Sequence, residues 1–173
     1  MDSDGYLSQL ADIFNGITVN TPSISAIIAI VLAGVLLLAS GFASASEIAF
    51  FSLTPSDRND IDEQNHPSDE KISALLGDSE RLLATILITN NFVNVTIIML
   101  CNFFFMNVFV FHSPLAEFLI LTVILTFLLL LFGEIMPKIY SAQKTLAFCR
   151  FSAPGIYFLE KLFRPIATVL VLS

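Results

Sequence analysis

Several oxygen-bearing groups interrupt long apolar runs of this sequence. Two of them are carboxylates. Glu134 ends an apolar run three residues before Pro137, and Glu47 lies inside another run that continues from Ile48 to Leu53. A charge in or near lipid is costly, so it faces the protein interior, a partner or a water-filled cavity. The uncharged groups on these runs are the side chains of Ser44, Ser46, Asn90, Asn91 and Asn94 and the carbonyl of Gly133.

All of these groups offer oxygen, as hydroxyl, amide, carbonyl or carboxylate. Such donors suit a hard cation, because Mg²⁺ takes about six oxygen ligands in near-octahedral geometry whereas Zn²⁺ favours His or Cys. One or two carboxylates would offset most of the charge of a divalent ion. Na⁺ accepts the same ligands, so composition leaves Mg²⁺ and Na⁺ both open.

Pro137 would leave the Gly133 carbonyl without its usual hydrogen-bond donor. Proline has no N–H, and its ring crowds the carbonyl four residues earlier. In an α-helix that carbonyl belongs to Gly133, which has no side chain to block an approaching group. Inside a membrane, a freed carbonyl needs a neighbouring helix, water or a cation.

The same residues also admit a purely structural interpretation. Glu134 and Lys138 are spaced i,i+4 and would form an ion pair at the inner interface. Asn90 and Asn94 share a helix face and would hold helices together by hydrogen bonds. The two interpretations differ in where Glu134 points, which is towards Ser44 and Asn94 in the first and towards Lys138 in the second.

Membrane-spanning helices are the elements that would position these groups. The chain is 55% apolar and 13% charged, with a mean hydropathy of +0.82, which is too apolar for a soluble domain of this length. A helix needs about 20 apolar residues to cross the hydrocarbon. We predict an all-α integral membrane protein with spans at about 24–53, 82–111 and 115–136. A belt of short amphipathic helices on the inner leaflet is predicted at about 138–173, broken by Pro154 and Pro165.

The distribution of basic residues predicts the orientation. Of the eight Lys and Arg residues, three lie between the first and second spans and five follow the third. Positive charge favours the cytoplasmic side, so the amino terminus is predicted outside and the carboxyl terminus inside. Residues 1–22 are then a short extracytoplasmic segment, and 23–173 form the transmembrane domain. The amino terminus carries acids and no Lys or Arg, which is unlike a secretory leader.

Three blocks of the sequence carry a family resemblance. They are FASASEIAFFSL at Phe42–Leu53, SERLLATILITNNFVN at Ser79–Asn94 and FGEIMPK at Phe132–Lys138. Together they resemble the transmembrane (DUF21) domain of the CorC/CNNM family of magnesium transport proteins. The resemblance implies a homodimer in the bacterial inner membrane, with cytosolic CBS modules that are absent from this chain.

The resemblance also implies a site and an activity. A dehydrated Mg²⁺ would lie at mid-membrane among Ser44, the three asparagines, the Gly133 carbonyl and Glu134, with Na⁺-coupled Mg²⁺ export. Two positions depart from the family pattern, since Ala45 and Thr89 stand where the family usually has glycine. The added methyl and hydroxyl groups would narrow the pocket.

The chain is also similar to the Bacteroidetes gliding-motility-associated branch, whose members are associated with surface-protein assembly. The functions to separate are therefore a Mg²⁺ exporter and a non-transporting membrane scaffold or regulator with a structural ion site. We expect no enzyme activity, because no nucleophile, base and orienting group cluster in the sequence. We expect the lipid bilayer as the surroundings and no nucleic-acid partner.

Overall fold

Long apolar helices dominate the computed structural model, which describes residues 3–172 apart from the side chains of Ile13 and Phe14. Within those residues, three helices are long and apolar enough to cross a membrane. They are α2 at Ile24–Phe51, α5 at Ser79–Val108 and a third helix at Pro114–Gln143. Each exceeds the roughly 20 residues that a bilayer requires. The predicted all-α membrane fold is therefore confirmed.

The remaining elements lie at the two ends of these helices. They are α1 at Ser3–Asn15, β1 at Thr18–Val19, α3 at Pro55–Asp62, α4 at Asp69–Leu76, β2 at Phe109–Val110, α8 at Thr145–Leu162 and α9 at Arg164–Leu172. The third helix itself consists of α6 at Pro114–Leu128, a π-helical segment at Leu129–Ile135 and α7 at Met136–Gln143. It continues through Pro137 and ends seven residues beyond the predicted boundary at 136, because the π-helical segment accommodates the proline.

Side-chain caps explain where the helices begin. Ser23, Asp78 and Ser113 each accept a hydrogen bond from the backbone N–H three residues later. Thr54 and Asp57 form a reciprocal capping box at the start of α3. These caps satisfy N–H groups that a helix leaves unpaired in its first turn. Residues next to each of these helix starts therefore determine where the helix begins.

The connections separate the two ends of the bundle. β1 pairs antiparallel with β2, with Thr18 opposite Val110, so the amino-terminal segment and the α5–α6 connection lie at one end. At the other end, Arg150 of α8 contacts Asp69 of α4 through hydrogen bonds of 3.0 and 3.2 Å. We call these the outer end and the inner end, following the orientation predicted from charge.

The larger buried core lies at the inner end. It consists of Ala43, Ala49, Phe50, Ile61, Ile72, Leu75, Leu82, Ile86, Cys149, Ala153 and Ile156. A smaller cluster lies further out and contains Ala33, Val93, Ile97, Cys101 and Leu125. The membrane helices are therefore anchored mainly at their inner ends, against α3, α4 and α8.

The predicted break at Pro154 is wrong. Pro154 lies inside α8, which continues without interruption from Thr145 to Leu162. A proline in a helix interior costs about 3 kcal/mol, but its neighbours Cys149, Ala153 and Ile156 are fully buried in the inner core. Packing of this face holds the helix together through the proline.

Candidate functional site

Ser40 of α2, a residue outside the predicted set, is the centre of the polar cluster. Its hydroxyl oxygen lies 2.9 Å from Asn90 Oδ1 and 2.7 Å from Asn94 Oδ1 on α5. Both asparagines reach one hydroxyl because residues i and i+4 lie on the same face of a helix. A hydroxyl has a single proton to donate. The second amide oxygen is therefore left for a cation, or its amide group turns and donates an N–H instead.

Gly133 brings the third helix against the same serine. A Cβ atom built on Gly133 would lie 3.2 Å from Ser40 Oγ, so any side chain there would push the hydroxyl aside. The glycine is buried. The cluster therefore joins three membrane helices, through the Ser40 hydroxyl, the amides of Asn90 and Asn94, and the backbone of Gly133.

Gly41 sets how closely α2 approaches this backbone. A Cβ atom on Gly41 would lie 3.0 Å from Pro137 Cγ and 3.4 Å from the Phe132 carbonyl oxygen. Small residues let membrane helices come into close contact. The Ser40–Gly41 pair is thus a point at which α2 and the proline-containing turn touch.

The backbone around Gly133 changes its hydrogen-bond register. The Met136 N–H donates to the Leu131 carbonyl, an i→i−5 bond, and the α-helical pattern resumes at Met136. The carbonyls that lie between the two registers are those of Phe132, Gly133 and Glu134. Within this described stretch, the backbone nitrogens that regular helical spacing places opposite these carbonyls are those of Pro137 and Lys138. Pro137 has no N–H, so the Lys138 N–H is the one donor that remains for the three carbonyls. Two of the three carbonyls therefore need a partner from outside the helix.

Ser44 lies one turn from Ser40 on the same face of α2. It is fully buried, and its hydroxyl has no hydrogen-bond partner among residues 3–172. An unpaired buried polar group costs about 1–3 kcal/mol. Ser44 is therefore an oxygen donor that a bound cation would satisfy.

Glu134 and Lys138 are not paired with each other. Lys138 Nζ lies 3.6 Å from Glu47 Oε2, so the ion pair joins α2 to α7. Glu134 is half-buried, and within the described part of the chain its carboxylate has no hydrogen-bond or ion-pair partner. The i,i+4 pair of the structural interpretation is not the arrangement seen. Glu47 has a helix neighbour as its partner.

The structure does not bring Ser46 and Asn91 into the cluster. The Ser46 hydroxyl donates to the Phe42 carbonyl of its own helix at 2.7 Å. Asn91 is exposed, about 100° round the helix from Asn90. Of the predicted residues, Asn90, Asn94 and Gly133 meet at Ser40, Ser44 lies one turn away, and Glu134 is adjacent to Gly133.

The cluster lies at one depth in all of the membrane helices it joins. Ser40 is eleven residues from the inner end of α2, Asn90 is eleven from the inner end of α5, and Gly133 is ten from the inner end of the third helix. At a rise of 1.5 Å per residue these positions are roughly 15–17 Å from the helix ends. That distance is about half of the roughly 30 Å thickness of the hydrocarbon core of a bilayer.

Sequence patterns contained a signal for Ser40. It precedes Ser44 by four residues and is followed by Gly41, in an otherwise apolar run. Two hydroxyls at i,i+4 define one polar face of a membrane helix. The adjacent glycine indicates that another backbone approaches there.

Comparison with known proteins agrees with this architecture. The family of cyclin M (CNNM) transmembrane N-terminal domains matches residues 28–173. A UPF0053 protein of Haemophilus influenzae is 32% identical over 130 residues, which are 75% of this chain and 30% of that protein. The chain thus spans less than a third of the length of the curated relative that it matches. Since the family match covers most of the chain, including all of α2 except its first four residues, all of α5 and all of the third helix, the protein belongs to the CNNM transmembrane domain family.

Proposed function

We propose that this protein is a divalent-cation transporter that carries Mg²⁺ across the membrane, with the ion bound between the three helices at mid-membrane. Its family is associated with divalent-cation transport. The observation that carries the proposal is the convergence of uncharged oxygen groups from three helices at Ser40. Two amide oxygens lie within 3 Å of one hydroxyl there, which is more acceptor capacity than the hydroxyl satisfies.

The donor set fits a small hard cation. Ser44 would contribute an unpaired buried hydroxyl, the π-helical turn would contribute carbonyls, and Glu134, next to Gly133 in the sequence, would contribute a carboxylate. Mg²⁺ favours such oxygens, at about 2.0–2.1 Å and in octahedral geometry. Because Lys138 neutralises Glu47, Glu134 is the anionic ligand of this proposal.

Further parts of the proposal rest on the family. They are a homodimer in a bacterial inner membrane with the amino terminus outside, export driven by inward Na⁺, and attached cytosolic CBS modules in the native protein. The excess of Lys and Arg in the inner connections supports the orientation. The second candidate function is a non-transporting scaffold or regulator with a structural ion at the same site. The paired Glu47, which ties α2 to α7, favours such a structural role for part of the site.

The first test is Mg²⁺-dependent thermal stabilisation of the detergent-purified protein. At an Mg²⁺ concentration of 100 times Kd we expect stabilisation of about 2.7 kcal/mol, or roughly 5–10 °C in Tm. Glu134→Ala and Asn94→Ala should lose it, because each removes a proposed ligand. The matched control is Asn91→Ala, which alters the exposed neighbour on α5 and should retain it. Equal stabilisation of Glu134→Ala and wild type would eliminate the site.

Reconstituted vesicles separate the two candidate functions. With an imposed Na⁺ gradient, wild-type protein should move Mg²⁺ and Glu134→Ala should not. Protein that binds Mg²⁺ and moves none would favour the scaffold. The assay uses the chain together with the cytosolic modules of its native protein, so that their loss does not silence transport.

A further inference from the structure

A cleft of about 510 Å³ separates α5 from α6 in the outer half of the bundle. It runs along the third helix from Pro114 to Leu129, which is roughly 22 Å at 1.5 Å per residue. On α5 it runs from Met106 inward to Ile98. The cleft therefore extends from the outer end of the bundle towards mid-membrane.

The wall of this cleft carries polar side chains that lipid would not solvate. They are Asn102, Glu117, Thr122 and Thr126. Within residues 3–172, none of these four side chains has a hydrogen-bond or ion-pair partner. In hydrocarbon each unpaired polar group costs several kcal/mol. Water in the cleft would satisfy them.

The threonines of the cleft differ from those of α5. Thr85, Thr89 and Thr96 each donate their hydroxyl to the carbonyl four residues earlier at 2.8 Å, a common way to satisfy a hydroxyl inside a helix. In the described part of the chain, Thr122 and Thr126 make no such bond. Their hydroxyls are free for groups that enter the cleft.

The inner end of the cleft lies next to the candidate cation site. Ile98 follows Asn94 by four residues, and Leu129 precedes Gly133 by four. Each pair is one helical turn apart, or about 6 Å along the helix axis. Two apolar side chains, Ile98 and Leu129, therefore lie between the cleft and the polar cluster.

We propose that this cleft is the water-filled route between the outer side of the membrane and the cation site. The proposal rests on the proposed function, because it takes the polar cluster as the place where the cation is held. A cation that passes Ile98 and Leu129 regains oxygen ligands from water and from the polar wall. Glu117, in the first turn of α6, lies at the mouth, where its negative charge raises the local cation concentration.

The first test measures water in the cleft without any need for transport. In a Cys101→Ala, Cys149→Ala background, Thr126→Cys is compared with Phe127→Cys, whose native side chain is 62% exposed. We expect a charged, membrane-impermeant methanethiosulfonate, added from outside, to react about tenfold faster at Thr126→Cys, because the reactive thiolate forms in water and not in lipid. Thr122→Cys against Val123→Cys repeats the comparison.

Two outcomes of this labelling would overturn the proposal. Equal rates in both matched pairs would mean that the cleft is filled by lipid. Ready disulfide formation between two Thr126→Cys subunits under a mild oxidant would mean that a second copy of the chain covers the cleft.

A second test connects the cleft to transport. In vesicles, modification of Thr126→Cys should lower the Mg²⁺ flux by about tenfold, because a bulky group blocks the only proposed outer path, while Mg²⁺-dependent thermal stabilisation remains. Modified Phe127→Cys should keep its flux. Unchanged flux after modification of Thr126→Cys would refute the route and leave the cation site intact. Vesicles in which unmodified protein moves no Mg²⁺ would instead refute the proposed function, and the route with it.

The role of Glu117 at the mouth of the cleft is tested by comparing methanethiosulfonates of opposite charge. Cationic methanethiosulfonates should react faster than anionic ones at Thr122→Cys, and Glu117→Gln should reduce that ratio about threefold by removing the negative charge at the mouth. An unchanged ratio would remove Glu117 from the route.

Discussion

The inner and outer halves of α2 are surrounded very differently, although one continuous helix carries both. From Ser40 to Phe50 every residue is buried or half-buried. From Ile24 to Ala39 the buried residues are Ala26, Ala29 and Ala33. Their spacing of three and four places them on one face, where small side chains permit close contact with a neighbouring helix.

What covers each half explains the difference. The inner half of α2 packs against α5, α7 and α8, and the inner core also draws residues from α3 and α4. In the outer half, α5 is separated from α6 by the polar cleft. The inner half therefore forms a packed frame around the polar cluster, and the outer half is less tightly packed.

The strongest test of this comparison removes the ion pair that ties α4 to α8 at the inner end. Asp69 is fully buried, so Arg150→Met leaves an uncompensated charge. We expect a loss of about 3–5 kcal/mol in the free energy of unfolding, measured as a fall in Tm. Asp69→Asn combined with Arg150→Met should recover part of this loss, because the buried charge is then gone. The control is the exposed Arg58→Met. A Tm no lower than that of the control would mean that the inner frame does not depend on this pair.

A matched pair of leucine truncations compares the two halves directly. Leu82→Ala in the inner core should cost about 3 kcal/mol, because the fully buried side chain leaves a cavity. Leu125→Ala in the outer half should cost less, about 2 kcal/mol, because Leu125 belongs to the smaller buried cluster but also lines the cleft, so protein packs less of its surface. Equal losses of Tm for the two variants would contradict the distinction between a packed inner half and a loose outer half.

The smallest expected effect is a pH dependence at Glu160, on the inner side. Burial is the main cause that raises the pKa of this carboxyl, and the negative charge of Asp78 raises it further. The positive charges of Arg81 and Arg164 lower the pKa, but they do not cancel the rise. The folded state therefore binds a proton more tightly than the unfolded state, so stability falls as pH rises from the ordinary value of 4.5 through the raised pKa. Glu160→Gln removes the buried charge and should raise Tm slightly at neutral pH. The Tm difference should disappear below pH 4.5; a difference that stays constant with pH would show that ionisation is not its cause.

Much of the architecture was predictable because its signals are local. Apolar runs of sufficient length predicted the membrane helices, and the cap at Asp78 and the capping chemistry at Thr54 were visible in neighbouring residues. The sequence singled out Pro137, and the structure changes the consequence expected of it. In an α-helix Pro137 would free the Gly133 carbonyl alone, whereas the π-helical segment leaves two of the three carbonyls of Phe132, Gly133 and Glu134 without an N–H from their own helix. Pro154 did not break α8, because packing against the inner core outweighed local propensity.

The sequence alone determined that this is a helical membrane protein. It also identified the apolar runs that carry polar groups, and it indicated that the oxygen chemistry of these groups suits a hard cation. Helical periodicity also assigned Asn90 and Asn94 to one face. Only the tertiary structure decided what that face meets, since periodicity defines a face and not the neighbour opposite it. The rotation and spacing of packed helices brought Ser40 between the two amides and Gly133, turned Asn91 away, and paired Lys138 with Glu47 instead of Glu134.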